Sequence, residues 1–134
     1  HPEFSSGYAK LYPNGMAMAA LLNDGSVITW GASGSGGDSS AVASQLSSGV
    51  IEIYSILSSD GIEGAYAALK DDGSVVTWGD AQGAEDSSSV STQLSSGVTK
   101  VYGSHGDGQG AFAALKDDGS VITWGGIIIY SIFS

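Results

Sequence analysis

Hydrophobic and polar positions alternate along Ala65-Tyr66-Ala67-Ala68-Leu69-Lys70, so that Ala65, Ala67 and Leu69 face one way and Tyr66, Ala68 and Lys70 the other. The next run, Ser74-Val75-Val76-Thr77-Trp78, is β-branched and aromatic, with Val76 and Trp78 on one face and Val75 and Thr77 on the other. Between them stands Asp71-Asp72-Gly73, where Asp tolerates the turn positions and Gly supplies the positive φ that closes a hairpin. Asp24-Gly25 and Asp118-Gly119 punctuate the chain in the same way. Apolar groups on both faces predict strands covered on both sides, which belong to a stack of sheets. Ile51-Glu52-Ile53-Tyr54 and Thr99-Lys100-Val101-Tyr102 predict a further short strand each, and Ser89 to Leu94 predicts a fourth strand or a turn of helix.

These elements repeat. Ala65 to Gly79 returns as Ala111 to Gly125, changed only at Tyr66/Phe112 and Val76/Ile122, and more loosely as Ala17 to Gly31, with Met18 in the aromatic slot. Gln45 to Val50 returns unchanged as Gln93 to Val98. Trp30 to Tyr54 and Trp78 to Tyr102 each span 24 residues, whereas the spacer from tyrosine to alanine-rich run is 4, 10 and 8 residues. Drifting length marks a surface loop. A period of 46–48 residues lies near the ~40–50 of propeller blades. The expectation is an all-β fold of four-stranded antiparallel β-propeller blades stacked face to face, with Ala19, Ala67 and Ala113 small enough to let neighbouring sheets approach.

The combination Gly-Val-x-x-[Val/Ile]-Tyr, a variable loop, and Ala-[Phe/Tyr]-Ala-Ala-Leu-x-x-Asp-Gly-Ser-Val-x-Thr-Trp-Gly resembles the repeat of the regulator-of-chromosome-condensation family, most closely its bacterial tandem-repeat variety. The resemblance runs from Gly7 to Gly125. It implies a propeller, commonly seven-bladed, that serves as an interaction platform; it does not imply an enzyme.

Residues 6–126 hold about two and a half repeats, too few to close a ring. The expected escape is a homo-oligomer of two to four chains joined by head-to-tail contacts that close by rotation. The last residues sharpen this. Residues 127–134 agree with Ile51 to Ser58 at six of eight positions, yet Trp124 to Tyr130 is six residues where other repeats have 24. This apolar segment is expected to be a strand completing a blade with a neighbouring chain, as a swapped closure. Residues 1–5 read as a cloning remnant, since His1-Pro2-Glu3-Phe4 matches nothing that follows.

Composition narrows the functional classes. Fourteen acidic residues stand against four lysines and no arginine, for a net charge of −10, which excludes the clustered cations that nucleic acid requires. No stretch reaches the ~18 apolar residues of a membrane span, so neither nucleic acid nor membrane is expected as a partner. Absence of cysteine removes disulfides, thiol nucleophiles and thiolate metal sites. The acidic, Ser/Gly-rich composition suits a secreted or cell-surface bacterial protein.

Candidate chemistry reduces to structure at most positions. Asp71-Asp72 and Asp117-Asp118 suggest a metal or acid/base pair, but a repeated hairpin needs the same residues and adjacent acids diverge. Gly34 to Ser40 and Gly83 to Ser88 are similar to calcium loops only in composition and lack alternating acidic spacing. His105, in a glycine-rich loop, has no nucleophile elbow to serve. Trp30, Trp78 and Trp124 hold one repeat position and are expected between blades. Tyr54, Tyr102 and His105 remain as a possible binding face. No catalytic residue, cofactor or metal is expected. The function predicted is a non-catalytic structural or protein-interaction scaffold, with a carbohydrate-binding module as the alternative.

Overall fold

The structure, a computed structural model, describes residues 9–57, 64–79, 90–104 and 111–125. It is all-β, with nine strands among the described residues in three three-stranded antiparallel sheets. Sheet I contains β1 (Ala9–Asn14), β2 (Ala17–Leu22) and β3 (Val27–Gly31). Sheet II contains β4 (Val50–Leu57), β5 (Gly64–Lys70) and β6 (Val75–Gly79), and sheet III contains β7 (Val98–Ser104), β8 (Ala111–Lys116) and β9 (Val121–Gly125). The strands of each sheet lie in sequence order. In every repeat the alanine-rich strand is central and pairs with the Trp-bearing strand in one register, Met18 to Trp30, Tyr66 to Trp78 and Phe112 to Trp124.

The hairpins form where Asp and Gly are spaced for them. Gly25, Gly73 and Gly119 all adopt positive φ, between 85° and 89°, a region open to glycine at little cost. No fourth strand is present among the described residues. The connection from sheet I to sheet II carries 3-10 turns at Ser33–Ser35 and Ser40–Leu46. Val90 to Leu94 is likewise turned, the Leu94 N–H donating to the Val90 carbonyl at 3.1 Å. Serine and threonine hydroxyls there compete for backbone groups, and alternation is lacking, so neither stretch sustains a strand. Residues 1–5, residues 127–134 and His105 lie outside the described residues, as does Ser89.

Sheet II is covered on both faces. Ala65, Ala67, Leu69 and Ile56 pack against Val98, Val101, Phe112, Ala114 and Trp124 of sheet III. On the other side Tyr66, Ala68, Val76, Trp78 and Ile53 pack against Ala19 and Leu21 of sheet I. Ala19 and Ala67 are wholly buried, so small side chains do sit where the sheets approach. Each large apolar side chain so buried contributes ~1.5–3 kcal/mol.

Polar bolts repeat from one junction to the next. The Val50 N–H donates to the Gly25 carbonyl and the Val98 N–H to the Gly73 carbonyl, both at 2.9 Å. The Tyr66 hydroxyl donates to the Tyr12 carbonyl at 2.6 Å. Buried Asn14 donates from Nδ2 to the Ile56 carbonyl at 3.0 Å, which pairs a buried amide and ties sheet I to sheet II.

Candidate functional site

The turn acids are engaged within their own hairpins. Oδ1 of Asp24, Asp72 and Asp118 accepts a hydrogen bond from the Ser26, Ser74 and Ser120 hydroxyl at 2.6 Å. The same oxygens accept the backbone N–H of those serines at 2.9–3.0 Å. The serine hydroxyls first, and then the backbone N–H groups, hold the three carboxyls below the usual aspartate range. Asp38 is lowered in the same way by Ser40, whose backbone N–H it accepts at 3.0 Å. Among the described residues no three His, Cys, Asp or Glu side chains gather as a metal site.

A folded-state pKa below the unfolded one gives stability that is complete above the unfolded value and lost as pH falls through the folded value. The thermal midpoint of the unmodified chain should therefore fall on acidification below about pH 4 more steeply than that of a triple Asp24→Asn, Asp72→Asn, Asp118→Asn variant. Circular dichroism melts of both across the acid range check this, and equal slopes would contradict it.

Two tryptophans pack between sheets. Trp78 and Trp124 are 4% exposed and stack on Tyr66 and Phe112 at centroid distances of 5.2 and 5.4 Å. The Trp78 Nε1–H donates to the Gly36 carbonyl at 3.0 Å, so the glycine loop after β3 closes over sheet II. Trp124 Nε1 has no such acceptor among the described residues. Trp30, on the outer face of sheet I, is half-buried. Both stacked indoles already have an aromatic neighbour, which leaves them no open ring for a sugar.

Tyr54 and Tyr102 occupy equivalent places on neighbouring sheets and differ in exposure. Tyr54 packs into the junction between sheets II and III, where burial first, and then the Glu52 charge, push its phenol up. Tyr102 holds the equivalent place on sheet III and is exposed. A groove of about 430 Å³ runs beside β6 between the two turned connections, near Gln45, Ser74, Thr77 and Ser91. Among its described lining residues only Lys70 and Asp72 are ionisable, and Lys70 Nζ is already bonded to the Gln45 carbonyl at 2.6 Å.

What stands out is the difference between equivalent positions at the two ends of the stack. Leu11 is 52% exposed, whereas Ile53 and Val101, its counterparts, are 2% and 1% exposed. Met18 is half-buried where Tyr66 and Phe112 are fully buried. At the far end, Val121 is exposed where Val27 and Val75 are half-buried, and Leu115 is half-buried where Leu21 and Leu69 are buried. The hairpin glycines agree. A Cβ at Gly25 or Gly73 would meet the Gly49 or Gly97 nitrogen of the next sheet's entry at 2.9 or 2.6 Å, whereas one at Gly119 would meet nothing within 4 Å. The outer face of sheet I and the far face of sheet III therefore have the composition of a junction without a neighbouring sheet among the described residues.

A charge contact also links sheets I and II, and the sequence reading missed it. Lys10 Nζ donates to Glu52 Oε1 at 3.4 Å and the Tyr12 hydroxyl donates to Oε2 at 3.4 Å. Lys10, Glu52 and Lys100 each stand two residues before the repeated tyrosine, so aligning the repeats residue by residue contains the signal.

Comparison with protein-family models, curated proteins and solved structures gave no match.

Proposed function

We propose that the chain is a non-catalytic scaffold of propeller-type repeats that self-associates head to tail, the outer face of sheet I of one copy covering the far face of sheet III of another. The observation that carries this reading is the contrast between sheet II, covered on both faces, and the end sheets, whose equivalent residues Leu11, Tyr102 and Val121 are exposed. The far face of sheet III repeats the face of sheet II that sheet III covers. Ala111, Ala113, Leu115 and Val121 correspond to Ala65, Ala67, Leu69 and Val75. A surface so matched to an existing partner is heterologous, and heterologous contacts form rings when their rotation closes. Two to four chains closing a propeller ring are the assembly we favour.

Leu11→Glu tests the face directly. Leu11 is exposed in the single chain, so the substitution should leave monomer stability within ~0.5 kcal/mol. In the assembly the same carboxylate would be buried without a partner, and association should weaken at least about tenfold, a loss of ~1.4 kcal/mol. Sedimentation of the two proteins over a dilution series measures this, and unchanged association would remove sheet I from the interface.

A further inference from the structure

Resting on that head-to-tail reading, we infer that contact between copies is held back by a like-charge pair, Lys100 of one copy against Lys10 of the next, so that the junction between copies is weaker than the junctions within a chain.

The inference follows from where these residues lie. Lys10 pairs in register with Leu21 and Tyr12 with Ala19, and Ala19 and Leu21 form the sheet I side of the junction with sheet II. The Lys10 ammonium sits 5.9 Å from the Tyr12 ring centroid, and both residues reach Glu52 across that junction. Sheet III repeats the arrangement on its open face. Lys100 pairs with Leu115 and Tyr102 with Ala113, and the Lys100 ammonium again sits 5.9 Å from the Tyr102 ring. This Lys-x-Tyr pair is built like the one that grips a carboxylate from the next sheet. Stacking in the register of the junction between sheets I and II would bring a residue equivalent to Glu52 against it. In a second copy whose sheet I arrives there, that residue is Lys10. The alternation lysine, glutamate, lysine within one chain then breaks at the boundary, where lysine meets lysine.

Like charges at short range oppose association, and opposite charges assist it by a modest amount at an exposed rim. Lys100→Glu should restore alternation and lower the dissociation constant of the assembly roughly three- to tenfold. Lys100→Gln should fall between the two. The direction is diagnostic because Lys100→Glu takes the net charge from −10 to −12, and greater overall repulsion alone would weaken association.

Sedimentation equilibrium of the three proteins, each checked for its fold by circular dichroism, decides the matter. The expected order of affinity is Lys100→Glu tightest, Lys100→Gln intermediate and the unmodified chain weakest. An unmodified chain that assembles while Lys100→Glu assembles no tighter overturns the charge inference and leaves the stacking reading standing. If all three remain single chains at every concentration, the stacking reading falls, and this inference with it.

Discussion

Tyr66→Ala should cost about 3–5 kcal/mol of stability, enough to unfold much of a chain whose domain class has only ~5–15 kcal/mol to lose. Three contributions disappear together. The ring is fully buried and lies between sheets I and II. It stacks on Trp78 with an interplanar angle of 22°, and its hydroxyl donates to the Tyr12 carbonyl at 2.6 Å. Removing the ring leaves a cavity at the junction and takes away the hydroxyl donor to that carbonyl. Tyr66→Phe separates the terms. It keeps the ring and deletes only the hydroxyl, so it should cost about 0.5–1.5 kcal/mol. Chemical denaturation of the three proteins measures both differences. Equal losses for Ala and Phe would mean that the hydrogen bond, and not the packed ring, holds the junction.

Gly73→Ala should be nearly as damaging, at about 2–5 kcal/mol, and far worse than the same change at Gly119. Both glycines adopt the left-handed region, with φ of 85° and 89°, and an L-residue there costs ~1–2 kcal/mol. Gly73 carries a second penalty. Its Cβ would stand 2.6 Å from the Gly97 nitrogen, a backbone atom that cannot swing aside, and the Val98 N–H that bonds the Gly73 carbonyl lies one residue further on. Overpacking of this kind adds ~1–3 kcal/mol. Gly119 has nothing within 4 Å, so in the single chain Gly119→Ala should cost only the backbone term of ~1–2 kcal/mol. In an assembly that continues the stack, Gly119 would be covered as Gly73 is, so the same substitution should also weaken association. Denaturation at low concentration and sedimentation at high concentration separate the two effects. Equal stability losses at Gly73 and Gly119 would contradict the packing described for the inner hairpin.

Much of this architecture is legible in the sequence because its pattern is local. The alternation of Ala65 to Lys70, the Asp-Gly turns and the β-branched run before each tryptophan specify the hairpins. The apolar residues on both strand faces specify sheets covered twice, and sheet II is so covered. Three strands per sheet among the described residues, in place of four, reflects a different limit. Ser40–Leu46 and Val90 to Leu94 hold too little alternation to read as strand or turn from local pattern alone, and packing beside β6 selects the turn. Asn14 offers no periodicity at all. Its role appears only when sheets I and II meet and its amide reaches the Ile56 carbonyl. The Lys10–Glu52 pair is equally non-local, since its members are 42 residues apart and meet only where sheets I and II stack. Tyr54 and Tyr102 show the same dependence, being alike in sequence context but one covered and one exposed according to their place in the stack.

Self-association of the end sheets is most directly tested by the absolute mass of the unmodified chain in solution, measured by light scattering over a wide concentration range. Head-to-tail closure predicts one discrete species at two, three or four times the 13.4 kDa of the chain, giving way to single chains on dilution. A mass of 13.4 kDa at every concentration up to about 1 mM, where even a weak contact would populate the assembly, would contradict it.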